Sequence, residues 1–427
     1  MRGEGGIGGS LLADWAGAAG EVLSLEAGLR DVPRILFRNR HRPVCVRVGG
    51  WTLYGNLWHD KASVSRALGG DPLSLLWGAA RGPREPPRAE GPWKEELAGD
   101  ALESLPIPKF FKGDGGRYLT SAIVIARSRD GHVNASYHRM MLLGGSRAAM
   151  RVVEGRHLHR ILQEGGGRML IAVGGSLPLM LAAATSVPWG VSELSVAHAL
   201  SMAALRRPEP VAEVEGLPAP VSSPIIMVAR TTGELAREGP FLDLTWTYDR
   251  VREQPVVEVE RILIAEKELY LILPGGPEHK VLMGLPRASY IWGSLREAGI
   301  EVVDVELTEG GCGWLHCAIS IRKRREDDGR RALEIAFRAH RSLKHAIVVD
   351  EDIDVSDPRA LEWAIATRVQ FDRDSIMFRE RGSSLDPSSG PGHETCKVGI
   401  DATKPLGSAG FELSFREENL EKGDTHF

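Results

Sequence analysis

MLIAVGGSLPLMLAAATSVPWGVS, residues 169–192, contains no charged side chain and is long enough to cross a bilayer if it were a single helix. Gly174, Gly175, Pro178 and Pro188 would break that helix. The run instead divides into a strand (MLIAV), a turn (GGS) and a short buried helix (LPLMLAAAT). A protein core, not a membrane span, is the expected destination of this segment.

On both sides of it, β-branched runs bounded by Gly, Pro or Asp predict strands: YLTSAIVIARS (118–128), HVNASYHRMMLL (132–143), PIIMVARTT (224–232), PVVEVERILIA (255–265) and ELYLILPG (268–275). Many strands with few helices suggest a barrel or a sandwich. After 280 the order becomes helix (PRASYIWGSLREAG), two strands (IEVVDVEL, WLHCAISIRK), helix (RRALEIAFRAH), strand (HAIVVDEDI) and helix (PRALEWAIATRV), a layered α/β pattern. Before 110, short strands and a helical run (DKASVSRALGG) read as a small α/β unit. The passage RGPREPPRAEGPWKEE is the expected linker, which puts a boundary between 81 and 108. The tail beyond about 380, rich in Gly, Ser and Pro, is expected to be an arm with little core of its own. The prediction is a multidomain α+β chain divided into 1–108, 109–275 and 276–427.

Composition narrows the function classes. Apolar residues at 43% and charged residues at 26% describe an ordinary globular chain, and its 427 residues exceed what one core usually serves. A formal net charge of -4 gives no global attraction for nucleic acid or an anionic membrane, and neither is an expected partner. The four cysteines are too scattered for a disulfide framework, and Asp14, Glu21 and Glu26 interrupt any export signal, so a cytoplasmic location is expected. Cys312 and Cys317, with His316, lack the spacing and the second pair of a closed zinc site. Gly3, Gly5 and Gly8 have the spacing of a dinucleotide-binding loop, but no strand precedes them.

Six segments place polar groups beside apolar β structure: LPIPKFFKGDGGRYLT (105–120), DGHVNASYHRM (130–140), EGRHLHR (154–160), PWGVSE (188–193), EGPFLD (238–243) and RSLKHAIVVDEDID (341–354). Such placement is costly unless the groups are bonded, paired or coordinated, so their joint presence points to a site. Taken singly, a solvated turn accounts equally well for Glu238 and Asp243. A turn after Asp130-Gly131 does the same for Asn134, and a surface helix position for His157.

In order and spacing these segments, with GSSLDPSSG (382–390) and VGIDATKP (398–405), resemble the UbiD family of decarboxylases from about residue 33 to about 415. The resemblance implies an N-terminal α/β unit, a central split β-barrel holding prenylated FMN and a C-terminal α/β domain for oligomerisation. It implies that Asn134, His157 and Glu193 hold a divalent cation, Mn²⁺ or Mg²⁺, against the flavin phosphate, with K⁺ as a further ion. An amide oxygen, an imidazole and a carboxylate are acceptable ligands for such an ion. Arg139, Glu238 and Asp243 match the catalytic set: Arg139 with Glu238 as an orienting pair, Asp243 as the proton donor. Ser136, Tyr137, His138, Arg156, Ser186 and Lys344 fall where flavin-contacting residues lie. Two departures concern substrate placement: Tyr137 and His138 precede the arginine where Met and Tyr are more usual, and Asp243 is often Glu.

The implied reaction removes CO2 from a small unsaturated carboxylic acid, with the cofactor supplied by a flavin prenyltransferase and the enzyme a homo-oligomer, dimer or hexamer. Within the family the segments look most like the archaeal branch that converts trans-anhydromevalonate 5-phosphate to isopentenyl phosphate. A polyprenyl hydroxybenzoate or another aromatic acid of quinone biosynthesis is the alternative substrate, and a flavin-binding redox protein is the alternative from another class.

Overall fold

In the computed structural model, which describes residues 11–412, the chain forms two compact α/β units, the first ending at Ser289 and the second beginning at Tyr290. The segment 169–192 folds as its breakers predict. Strand Arg168–Val173 is followed by helix Leu177–Ala183, whose N-cap Ser176 accepts a hydrogen bond from the Leu179 amide at 3.1 Å. Among the described residues no helix is long and apolar enough to cross a membrane. The Gly3–Gly8 spacing lies outside the described residues.

The first unit is built on a four-stranded and a nine-stranded sheet. The smaller one runs Leu23–Glu26, Val44–Val48, Trp51–Gly55, Glu268–Tyr270. The larger one is antiparallel and runs Tyr118–Leu119, Met140–Gly144, Arg147–Met150, Arg252–Ile264, Ile225–Glu238, Arg168–Val173, Ala122–Arg127, Val133–Tyr137, with Glu95–Ala98 also pairing onto Arg252–Ile264. Alternate residues of the central strands, among them Met169, Ile171 and Val173 with Ile225, Met227 and Ala229, form one buried cluster. Burial of each such aliphatic side chain contributes about 1.5–3 kcal/mol.

The segment HVNASYHRMMLL, expected as one strand, changes partner midway. Val133–Tyr137 pairs with Ala122–Arg127, whereas Met140–Gly144 pairs with Arg147–Met150 and Tyr118–Leu119. The handover falls at His138 and Arg139: the His138 amide bonds to Ala122 O at 3.0 Å, and Arg139 O accepts from the Arg151 amide at 3.0 Å.

Two expectations are corrected. The Pro-rich passage 81–96 does not divide units; it is a strap tied along the first one. Its backbone bonds run from Arg84 N to Ser195 O, Ala89 N to Val211 O, Val211 N to Pro87 O and Lys94 N to Ile264 O. Prolines hold it extended, and its remaining amides and carbonyls find strand-like partners. The tail is also not an arm throughout. Glu394–Ala402 is an interior strand of the five-stranded sheet Val302–Leu307, His316–Ile321, His345–Asp350, Glu394–Ala402, Ser375–Arg381. Its alternating burial, with Thr395, Lys397 and Gly399 inside, outweighs the turn-rich composition just before it.

Candidate active site

Between strands Ile225–Glu238 and Arg252–Ile264, where Glu238 faces Arg252, the chain makes an excursion of its own. A cis Gly239–Pro240 bond leads into a short ribbon in which Phe241 pairs with Asp249 and Leu242 with Tyr248. This detour gathers three carboxylates. Glu238 ends the long strand, Asp243 opens the turn, and Asp249 lies on the return.

All three meet Arg139. Its Nε and Nη2 bond to Glu238 Oε1 and Oε2 at 2.9 and 3.1 Å, Nη1 to Asp243 Oδ2 at 2.6 Å, and Nη2 also to Asp249 Oδ2 at 2.9 Å. Tyr118 donates its hydroxyl to Glu238 Oε1 at 3.0 Å, and Phe241 lies under the guanidinium at 4.4 Å. Arg252 pairs with the far side of the group, Nη1 to Asp249 Oδ2 at 2.6 Å. Burial alone would lower the Arg139 pKa, but the carboxylates, led by Glu238, hold it above its ordinary value. Glu238 is 0% exposed and Asp243 9%, so neither is a solvated turn residue and Asp243 is the more accessible acid.

The excursion rests on the GDGG segment. Asp114 accepts the amides of Phe111 (2.8 Å) and Leu242 (3.1 Å), and the Gly115 amide donates to Pro240 O at 2.7 Å. A Cβ on Gly115 would stand 2.2 Å from Gly239 O, so only glycine permits this approach.

A second polar group lines strand Val133–Tyr137. Asn134, Ser136 and His138 project on one side at the two-residue period, with Asn134 Nδ2 to Ser136 Oγ at 3.2 Å and Ser136 Oγ to His138 Nε2 at 2.9 Å. His138 Nδ1 meets Arg151 O at 2.8 Å, and burial pulls its pKa down to about 4, so the ring is neutral. Glu193, the first residue of helix Glu193–Leu205, turns Oε2 onto the Ala135 amide (2.8 Å) and Asn134 Nδ2 (3.4 Å). Burial pushes this carboxyl up to about 8, and a cation against it would favour the ionised form. The Asn134 nitrogen is thus committed, while Oδ1 has only a 3.5 Å contact from Ser136 Oγ and can ligate. These donors fit a divalent ion.

His157 starts helix His157–Gln163, with its ring 5.1 Å from His132 and 5.2 Å from Trp189. Arg156 is its exposed N-cap, and Ser186 lies in an exposed loop. The Tyr137 hydroxyl is buried with no partner. Lys344 belongs to the second unit, where it bonds Asp386 at 3.0 Å and also contacts Ser388. The structure therefore joins Arg139, Glu238 and Asp243 by direct bonds, and Asn134 with Glu193 and Ser136. The sequence reading missed Asp249, Tyr118 and Asp114. Asp114 and Tyr118 both lay within the quoted segment 105–120, where the Asp-Gly-Gly run was the available signal.

Residues 84–277 match the 3-octaprenyl-4-hydroxybenzoate carboxy-lyase Rift-related domain, and residues 280–402 the C-terminal domain of the same family. The chain belongs to the UbiD family. It is a UbiD-type decarboxylase. It is 46% identical to the anhydromevalonate phosphate decarboxylase of Aeropyrum pernix over 316 residues, covering 72% of this chain and 71% of that one. It is 37% identical to that of Methanocaldococcus jannaschii over 391 residues, 88% and 91% of the two chains. Its fold superposes on the UbiD-class enzyme HmfF from Pelotomaculum thermopropionicum in complex with FMN with TM-score 0.86 at 29% identity, covering 94% and 95%. An evolved dimeric form of HmfF in complex with prFMN gives 0.83 at 29% identity, covering 93% and 94%.

Proposed function

We propose that this UbiD-family decarboxylase converts trans-anhydromevalonate 5-phosphate to isopentenyl phosphate and CO2 in isoprenoid biosynthesis, using prenylated FMN made by a flavin prenyltransferase. The substrate is carried over from relatives bearing that name at 37–46% identity. The observation that carries the chemistry is Arg139 held bidentately by Glu238 while one further N–H reaches Asp243.

In this reading Asn134, Glu193 and His157 would hold a divalent cation, Mn²⁺ or Mg²⁺, whose charge would offset that of the flavin phosphate, with K⁺ as a further ion. Ser136, Tyr137, His138, Arg156 and Ser186 line or anchor the flavin. When bound, the cofactor supplies the electron sink for carbon–carbon cleavage. The chain supplies position and protons. Arg139, fixed by Glu238 and Asp249, orients the substrate carboxylate and holds Asp243; Asp243 then gives its proton to the carbon that lost CO2. Closed packing around Glu238 excludes water from the pair. The partner exchange at His138–Arg139 supports a split β-barrel within the first unit, and the C-terminal segment mediates self-association in the cytoplasm.

The test incubates protein co-produced with a flavin prenyltransferase with trans-anhydromevalonate 5-phosphate and follows isopentenyl phosphate by mass spectrometry. Product is expected from the parent and none from Glu238→Gln. Cofactor-loaded enzyme that ignores this acid but turns over a polyprenyl hydroxybenzoate would move the substrate to the aromatic class.

A further inference from the structure

The turn that carries Asp243 is fastened from outside the acid cluster. Within it, the Asp243 amide bonds to Thr247 O at 3.1 Å and the Trp246 amide to Asp243 O at 3.0 Å, so residues 243–247 form one closed body. What holds that body in place is Trp246. Its indole Nε1 donates to Gly275 O at 2.7 Å, and Lys280 Nζ stands 3.6 Å over its ring. Gly275 has φ +68, and a Cβ there would lie 2.9 Å from Trp246 Cδ1, 3.0 Å from Leu242 Cδ2 and 3.1 Å from Asp243 O. The main chain of the acid therefore rests directly on this glycine. The Gly275 amide in turn donates to His279 Nδ1 at 3.1 Å, which ties the contact point to the first turn of helix Pro277–Glu297.

Trp246 is an unusual residue for this position. It is 56% exposed, so burial does little to keep it there, and its φ of +59 lies in the left-handed region that bulky side chains avoid. Such a conformation persists where the surroundings over-determine it, and here the determinants are the indole hydrogen bond and the lysine.

We propose that Trp246 is a positioning residue for decarboxylation: a latch onto Gly275 and Lys280 that sets the Asp243 carboxylate against Arg139. The inference rests on the reading of Asp243 as proton donor. Without the latch the turn can swing on its two ribbon strands, and Asp243 Oδ2 leaves its 2.6 Å contact with Arg139 Nη1.

Three cofactor-loaded variants test it: Trp246→Ala, Trp246→Phe, which keeps a ring over Lys280 but loses the N–H, and Asp243→Asn. Amide hydrogen exchange over 241–249 is read first, because it needs no substrate. Protection should fall in Trp246→Ala and lie between parent and Ala in Trp246→Phe, with the melting temperature and flavin absorbance held. On trans-anhydromevalonate 5-phosphate, Trp246→Ala should lose about 10–100-fold in kcat with little change in KM, and its solvent deuterium isotope effect should rise as proton delivery becomes limiting. Parent-like protection and kcat in Trp246→Ala overturn the latch. If Trp246→Ala does not fold, Trp246→Phe and Lys280→Met decide, and normal exchange in both is fatal to the proposal. A fully active Asp243→Asn instead removes the donor assignment, while the exchange data still judge the latch alone.

Discussion

The guanidinium of Arg139 meets the carboxylate of Glu238 side-on, two nitrogens to two oxygens, at a place where Glu238 has no solvent contact. Such a fork cannot be reproduced by a lysine. Arg139→Lys should lower turnover by at least about 100-fold, the scale of a misplaced reacting group. Arg139→Ala leaves Glu238 and Asp243 buried without their cation, while Asp249 keeps Arg252, and should destabilise the fold by about 3–5 kcal/mol in urea titrations. Near-parent turnover in the lysine variant would remove the requirement for the fork.

The Asn134–Glu193 contact makes a separate prediction about ion content. Asn134→Ala or Glu193→Gln should reduce retained divalent metal, measured by plasma mass spectrometry after gel filtration. The reduction should be no smaller than the roughly 10–100-fold typical of outer-shell changes. Unchanged metal in both variants would place the ion elsewhere.

His138 makes a prediction about acid stability. Burial lowers its folded pKa to about 4, against an unfolded value near 6.5, so the unfolded chain binds the extra proton first as pH falls. Its stabilising contribution is intact above about pH 6.5 and is lost progressively towards pH 4, by up to about 3 kcal/mol. His138→Gln should flatten the stability–pH curve across that window; an unchanged slope would assign the acid sensitivity to other groups.

Gly115 allows a test by a single methyl. Gly115→Ala drives Cβ into the Gly239 carbonyl, a backbone atom that cannot rotate away, and should cost about 1–3 kcal/mol while displacing the acid-bearing turn. At Gly116 the nearest atom is Met141 Cγ at 3.1 Å, the flexible side of a side chain, so Gly116→Ala should be milder in the same thermal melts.

Much of this organisation was readable because the strong signals were local. Breakers cut 169–192 where the structure cuts it, and the runs around Ile225, Val256, Ile319 and Ile347 are strands as their β-branched content predicts. What escaped depends on partners far along the chain. Nothing in HVNASYHRMMLL announces that its two halves belong to different neighbours, and the Pro-rich strap looked like a linker because the carbonyls that receive it lie more than a hundred residues away. The helix expected from Pro286 begins at Pro277, because a proline inside a long helix can be tolerated when the rest of the helix packs well. Glu238 and Asp243 were legible through a motif. Asp249 was not, since Tyr-Asp-Arg in a turn-rich stretch carries no signature, and only the ribbon pairing with Phe241 brings it to Arg139.

Asp243 and Asp249 sit on a detour whose two ends are pinned by Glu238 facing Arg252 in the ladder between the two long strands. The scaffold therefore needs only the closing pair, and the thirteen or so residues between behave as a cassette. Such an insert can diverge, or be exchanged by an engineer, without re-registering the sheet that carries it, provided the incoming turn offers Arg139 its acids and finds its own fastening at Gly275.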